Sequence, residues 1–254
     1  MAIVLSVANQ KGGVGKTATS VNMSAYLAAL GKKVLLVDLD PQGNATSGVG
    51  VDPRKVDFSV YHVINGKVAT AQAIRNTELF GYHILPSSFD LAGATVELVN
   101  MKNREFRLHD VIIPVRHEYD YIIIDSPPSL GLLTINGLVA SDEVLIPVQC
   151  EYYALEGLAQ LLETVRLVKS NLGKDINILG AVLTMYDKRN KFDRKIAKEV
   201  RRNFPGYVFD AVIPRNVDVA EAPGHGKTIF QFSPSSPGAN AYRQLAEEVI
   251  KRTA

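Results

Sequence analysis

A glycine-rich string directly behind the first apolar run restricts the possible folds more than any other feature of this chain. Ile3–Val7 has the length and β-branched character of a strand, and Ala8-Asn-Gln-Lys-Gly-Gly-Val-Gly-Lys-Thr17 follows it. A stretch with helical periodicity then runs over Lys16–Leu30. Strand, glycine loop and helix in that order form a phosphate cradle. The glycines let backbone N–H groups turn inward, and the helix N-terminus adds its dipole. Gly12, Gly13, Val14, Gly15, Lys16, Thr17 and Ala18 are the expected nucleotide-binding residues. Lys16 is placed to reach the outer phosphates, and the Thr17 hydroxyl to coordinate Mg²⁺. The ordinary phosphate-loop pattern requires glycine at position 10; glutamine stands there, and an additional cation, Lys11, opens the loop.

The remaining chain supplies the elements that such a cradle needs. Strand-like runs at Lys33–Val37, His83–Leu85, Tyr121–Ile124, Glu143–Val148, Ile178–Leu183 and Val208–Ile213 alternate with helical periodicity. The helical segments are Ala92–Val99, Asn103–His117, Gly131–Ala140, Leu155–Ser170, Lys191–Asn203 and Asn240–Lys251. This alternation predicts an α/β fold: a doubly wound, mainly parallel sheet flanked by helices, as one domain over residues 1–254. Several runs are continuously apolar, as strands covered on both faces are. In such sheets ligands bind beyond the carboxyl ends of the strands.

Carboxylates stand at those ends. Lys33–Val37 leads into Asp38-Leu-Asp-Pro-Gln-Gly-Asn-Ala-Thr46, where two aspartates two residues apart are expected to point together toward the nucleotide. Tyr121–Ile124 leads into Asp125-Ser-Pro-Pro-Ser129, a hydrophobic strand ending in a metal-supporting aspartate. Asp125 can equally cap the helix that follows. Asn190-Lys-Phe-Asp193 matches a guanine-recognition signature, but Met185–Arg189 separates it from the preceding strand, so it reads as a chance match.

Composition narrows the class. The 254 residues are 46% hydrophobic, and no run of apolar residues is long enough to span a bilayer. Met1–Val7 lacks a basic leader and is expected to be a strand rather than a signal peptide. The single Cys150 excludes a disulfide framework and a multi-cysteine zinc site, and fits a cytoplasmic setting. Net charge is only +2, yet residues 188–202 hold eight basic and two acidic side chains. On a helix Lys191, Arg194, Lys195, Lys198 and Arg202 form one basic stripe, with Ile196 and Val200 turned to the core. Charge alone fits either a solvated helix face or salt-sensitive phosphate contacts.

The string Lys-Gly-Gly-Val-Gly-Lys-Thr resembles the deviant Walker A motif of the ParA/MinD family, and the likeness extends along nearly the whole chain. It includes Asp38–Thr46, Leu91-Ala-Gly-Ala94, Asp125–Ser129 and Glu221-Ala-Pro-Gly-His-Gly-Lys227, and it points to the chromosomal Soj/ParA branch. The resemblance implies an ATPase with slow intrinsic turnover. Lys11 crosses to the partner's phosphates in an ATP-bound homodimer; Lys16 acts on the nucleotide in its own subunit. Asp40 positions the attacking water, and Asp38 joins Thr17 and Asp125 around Mg²⁺. Met185, Pro214 and Asn216 form the adenine pocket. It further implies non-specific double-stranded DNA binding through Lys188, Arg189, Lys191, Arg194, Lys195, Lys198, Arg202 and Arg215. A ParB-type activator and a nucleoid-associated location complete the expectation. Many relatives carry a basic residue where this chain has Asp218, which weakens the second half of that patch. With the phosphate loop so close to Met1, no N-terminal helix-turn-helix is expected. Two alternatives remain: a MinD-like membrane switch, disfavoured by Glu247 and Glu248 in the last helix, and a phosphate-loop enzyme acting on a small substrate.

Overall fold

The computed structural model describes residues 1–151 and 154–254. Eight strands form one sheet: β1 (Ile3–Val7), β2 (Val34–Asp38), β3 (Arg75–Asn76), β4 (Tyr82–Leu85), β5 (Tyr121–Asp125), β6 (Glu143–Gln149), β7 (Asn177–Tyr186) and β8 (Val208–Pro214). Their order is β3-β4-β2-β5-β1-β6-β7-β8. Every pairing is parallel except the short β3–β4 edge. The chain builds outward on one side of β1 and later on the other. The crevice beyond the C-terminal ends of β1 and its neighbours is therefore where this class of sheet receives ligands.

The major helices are those expected, with shifted ends. α1 (Lys16–Ala29) is followed by three short helices, α2 (Asn44–Gly48), α3 (Val60–Ile64) and α4 (Thr70–Ala73). α5 (Leu91–Val99), α6 (Arg107–Ile112), α7 (Leu132–Ala140), α8 (Ala154–Leu172) and α9 (Lys191–Asn203) follow. α10 (Val217–Glu221), α11 (Ile229–Phe232) and α12 (Pro237–Arg252) complete the chain. The segment expected as one helix over Asn103–His117 is instead α6 plus a 3₁₀ turn at Ile113–Glu118. Pro114 lacks the N–H that an α-helix would need there, so the tighter turn takes over.

Alternate residues of the central strands feed opposite layers. Leu36 and Ile123 pack with Met23 and Leu27 of α1 and with Tyr242, Leu245 and Val249 of α12. Leu35, Ile122 and Ile124 face Val63, Leu98 and Leu108 on the other side. Ile146, Val148, Leu161, Ile196 and Val200 join α8 and α9 to the sheet's far half. Full coverage of both faces explains why these strands read as continuous apolar runs.

The last helix is tied down as well as buried. Glu248 of α12 accepts hydrogen bonds from the Tyr207 hydroxyl and from the backbone N–H groups of Asp210 and Ala211, at 3.0 and 3.1 Å for the latter two. These bonds satisfy donors on the exposed edge of β8, where unpaired backbone invites wrong partners. Among the described residues no helix is long and apolar enough to cross a membrane.

Candidate functional site

The phosphate loop is held in shape by its neighbours. Asn9 donates to the Pro147 carbonyl at 2.7 Å and accepts from the Lys11 N–H at 3.1 Å, so β6 fixes where the loop begins. Thr184 at the end of β7 donates to the Val14 carbonyl at 2.8 Å, fixing its middle. Gly13 and Gly15 take φ of 73° and 87°, left-handed values that a side chain would strain. α1 starts directly after Gly15, leaving its first N–H groups facing the loop's concavity.

The two loop lysines part company. Lys16 is 6% exposed, and its ammonium donates to the Lys11 carbonyl at 3.0 Å. Burial lowers its pKa, against the pull of Asp125 and Asp40. Lys11 sits outside the cradle: its ammonium bonds the Glu151 carboxylate, and Gln149 holds the other oxygen of Glu151 at 2.5 Å. Its side chain remains 34% exposed.

Asp125 is fully buried and accepts from the hydroxyls of Thr17 and Ser20, each at 2.8 Å. Burial, with Asp38 next to it across β2 and β5, raises its pKa well above the ordinary carboxylate range. A hydroxyl and a carboxylate at the mouth of a phosphate cradle are the oxygen donors that Mg²⁺ takes alongside phosphate and water. Among the described residues no cluster of three or more His, Cys, Asp or Glu forms a self-sufficient metal cage.

Asp38 and Asp40 do not act alike, contrary to their spacing. β2 ends at Asp38, so the alternation of a strand does not extend to Asp40. The Asp38 carboxylate accepts from the N–H and hydroxyl of Thr46, at 2.7 and 2.6 Å, and from the Asp40 N–H at 3.2 Å. Asp40 instead reaches the wall of a cavity of about 350 Å³ that it shares with Gly13, Lys16, Thr17, Pro128 and Met185.

Met185 is the second non-glycine residue with positive φ, at 52°, among the described residues. Strain of that kind persists where surroundings enforce it, commonly at ligand sites. Its methyl group lies 3.9 Å from where a Cβ on Gly15 would be, so it roofs the loop. Pro214 and Asn216 are not in the cavity wall; Asn216 caps α10 by accepting from the Val219 N–H at 3.2 Å. The guanine-like string is spent on structure. Asn190 caps α9, and Asp193 accepts from the Asp187 N–H at 2.9 Å.

Lys188, Arg189, Lys191, Arg194, Lys195, Lys198, Arg202 and Arg215 are all exposed, while Ile196 and Val200 are buried as the periodicity requires. Arg189 pairs with Asp187, and Arg194 donates to the Lys188 carbonyl. Asp218 accepts from the Ser233 hydroxyl at 3.1 Å. Sequence reasoning missed Asn9, Ser20, Thr46, Ser87, Glu151 and Thr184. Asn9, Ser87, Glu151 and Thr184 share one signal, a polar side chain at or just beyond a strand's carboxyl end; Ser20 lies one turn into α1, and Thr46 lies within α2.

A mainly parallel sheet with this loop at the end of β1 defines a P-loop nucleotide-binding protein. Comparison with known proteins gives its place within that class. A family model described as AAA domain matches residues 2–178. The chain is 52% identical over 249 residues to the sporulation initiation inhibitor protein Soj of Bacillus subtilis, covering 98% of each chain. It is 48% identical to the chromosome partitioning protein ParA of Myxococcus xanthus, covering 98% of this chain and 88% of that one. A crystal structure described as cobyrinic acid a,c-diamide synthase from Mycobacterium smegmatis, with bound ADP and magnesium, superposes with a TM-score of 0.88. Its identity is 39%, covering 100% of this chain and 96% of that one. The chain belongs to the Soj/ParA family of ATPases.

Proposed function

We propose that this protein is a DNA-partitioning ATPase: two copies close over ATP, the dimer grips double-stranded DNA without sequence preference, and hydrolysis stimulated by a ParB-type activator ends the grip. The reading takes residues 1–254 as one P-loop domain and its location as cytoplasmic and nucleoid-associated. The observation that carries it is the division of labour between the loop lysines. Lys16 is committed to its own cradle, whereas Lys11 lies outside, on a partly exposed carboxylate that it leaves to turn toward a second copy.

ATP with Mg²⁺ supplies the phosphoryl bond whose cleavage times the cycle. The chain's residues position and neutralise, which is most of what phosphoryl transfer requires. Backbone N–H groups of Gly12–Ala18 would cradle phosphate; Thr17 and Asp125 would hold the metal, with Asp38, engaged by Thr46, beside Asp125; Lys16 would offset charge inside the subunit and Lys11 across the dimer. Asp40, at the cavity wall, orients the attacking water. Met185 in the cavity wall would hold the adenine, with Pro214 and Asn216 as the further residues of the expected pocket. The exposed cations of α9, with Arg189 and Arg215, meet DNA phosphates, a contact that carries no base information.

Family membership and relatives named for chromosome partitioning support this reading over the alternatives. Strapping of α12 to β8 through Glu248 argues against that helix as a membrane anchor. The name carried by the mycobacterial structure keeps the small-substrate reading in view. Sedimentation of wild type and Lys11→Ala with ATP, ADP or no nucleotide separates the cases. The proposal expects a dimer only for wild type with ATP. A monomer throughout, with ATP turnover that rises on adding small carboxylic-acid acceptors and ammonia, overturns it.

A further inference from the structure

The segment after β2 carries Asp40 through a tight turn, and a loop of that kind gives a carboxylate no fixed aim by itself. Here the Asp40 backbone is clamped at both ends. Its N–H donates to Asp38, and its carbonyl accepts from the Ser87 hydroxyl at 2.7 Å. The two clamps are one network. The Thr46 hydroxyl donates to Asp38 at 2.6 Å and accepts from the Ser87 N–H at 2.9 Å. Asp38, Thr46 and Ser87 are all fully buried, so each bond is made away from water, where losing one partner leaves the other unsatisfied. The Gln42 N–H holds one oxygen of the Asp40 side chain at 2.9 Å, and the residue as a whole borders the nucleotide cavity.

From this geometry we infer that Thr46 and Ser87 are positioning residues for hydrolysis, which lock the backbone of Asp40 and thereby aim its carboxylate at the water. The inference rests on the assignment of Asp40 above. Ser87 reaches the loop from the end of β4 and Thr46 from α2, so both sides of the loop are referred to the rigid sheet. The side-chain hydrogen bonds of both residues go to Asp38, to the Asp40 segment and to each other, and among the described residues none goes to the phosphate loop. Their loss acts on the chemical step and leaves nucleotide binding in place.

The test measures intrinsic phosphate release as kcat and KM, with thermal midpoints, for Thr46→Val, Thr46→Ser, Ser87→Ala and Asp40→Ala. Valine matches threonine in shape without its hydroxyl; serine keeps the hydroxyl. The expected result is a fall in kcat of about tenfold for Thr46→Val and for Ser87→Ala, with KM for ATP within about twofold. Thr46→Ser recovers most of the rate. A merely structural role would lower the thermal midpoint while leaving kcat per folded molecule intact, and that result overturns the inference. If Asp40→Ala loses turnover while Thr46→Val and Ser87→Ala keep it, the inference fails and the assignment of Asp40 stands. If Asp40→Ala itself keeps turnover, both fall together.

Discussion

Replacing Glu151 by Gln should tighten the proposed ATP-dependent dimer, because it removes a charged partner that holds Lys11 on its own subunit. For Lys11 to reach a second copy, its bond to Glu151 has to break. The side chains of the pair are 34% and 47% exposed, so the interaction belongs to the weak, solvent-screened class worth about 0.2–1 kcal/mol. A symmetric dimer breaks two such pairs. The gain on removing both is therefore about 0.4–2 kcal/mol, or roughly 2- to 30-fold in the dimer dissociation constant. Analytical ultracentrifugation with a non-hydrolysable ATP analogue measures it, with Lys11→Ala as the variant that fails to dimerise in either background. Salt screens the pair in the wild type, so the advantage of Glu151→Gln should shrink as salt rises. A variant that dimerises more weakly than wild type would refute the reasoning, because Glu151 would then be supporting the dimer interface instead of restraining Lys11.

Two further outcomes follow from burial. Asp125 and Asp38 have pKa values raised to about 7 and about 6, chiefly by desolvation, so the folded protein holds their protons more tightly than the unfolded chain. Their contribution to stability is whole below the usual carboxylate pKa near 4 and is lost as pH climbs through the raised values. The thermal midpoint of the nucleotide-free protein should therefore fall as pH rises from about 4 to about 7, and Asp125→Asn should flatten that fall; a flat wild-type profile contradicts it. A Cβ on Gly180 would lie 2.7 Å from the Tyr207 carbonyl and 2.8 Å from the Phe209 ring, so Gly180→Ala should cost about 1–3 kcal/mol, seen as a lower urea midpoint with an unchanged slope.

How much of this could be read in the sequence depends on how local each signal is. The phosphate loop, the strand behind it and the basic stripe of α9 are contiguous, and the structure reproduces their placement. The different surroundings of Asp38 and Asp40 were not legible in the residues themselves, where only the family resemblance set the two apart, because spacing suggests a shared direction only while the strand continues, and β2 stops between them. The partners that decide those roles are far away in sequence: Ser87 lies 47 residues from Asp40, and Glu151 lies 140 from Lys11. No periodicity reports such contacts. The sheet topology brings them together, since β4 and β6 end on either side of the same crevice. Pro114 is the opposite case, a local signal that ends α6 and that helical periodicity overrode.

Salt-titrated binding of random-sequence duplex DNA, with ATP or ADP, for wild type, Lys11→Ala and a Lys195→Glu/Lys198→Glu double variant, tests the central claim most directly. The account predicts binding by wild type with ATP alone, lost as salt rises, absent in Lys11→Ala, and weakened with a shallower salt slope in the double variant. Equal DNA binding with ATP and ADP, or an unchanged salt slope in the double variant, would contradict it.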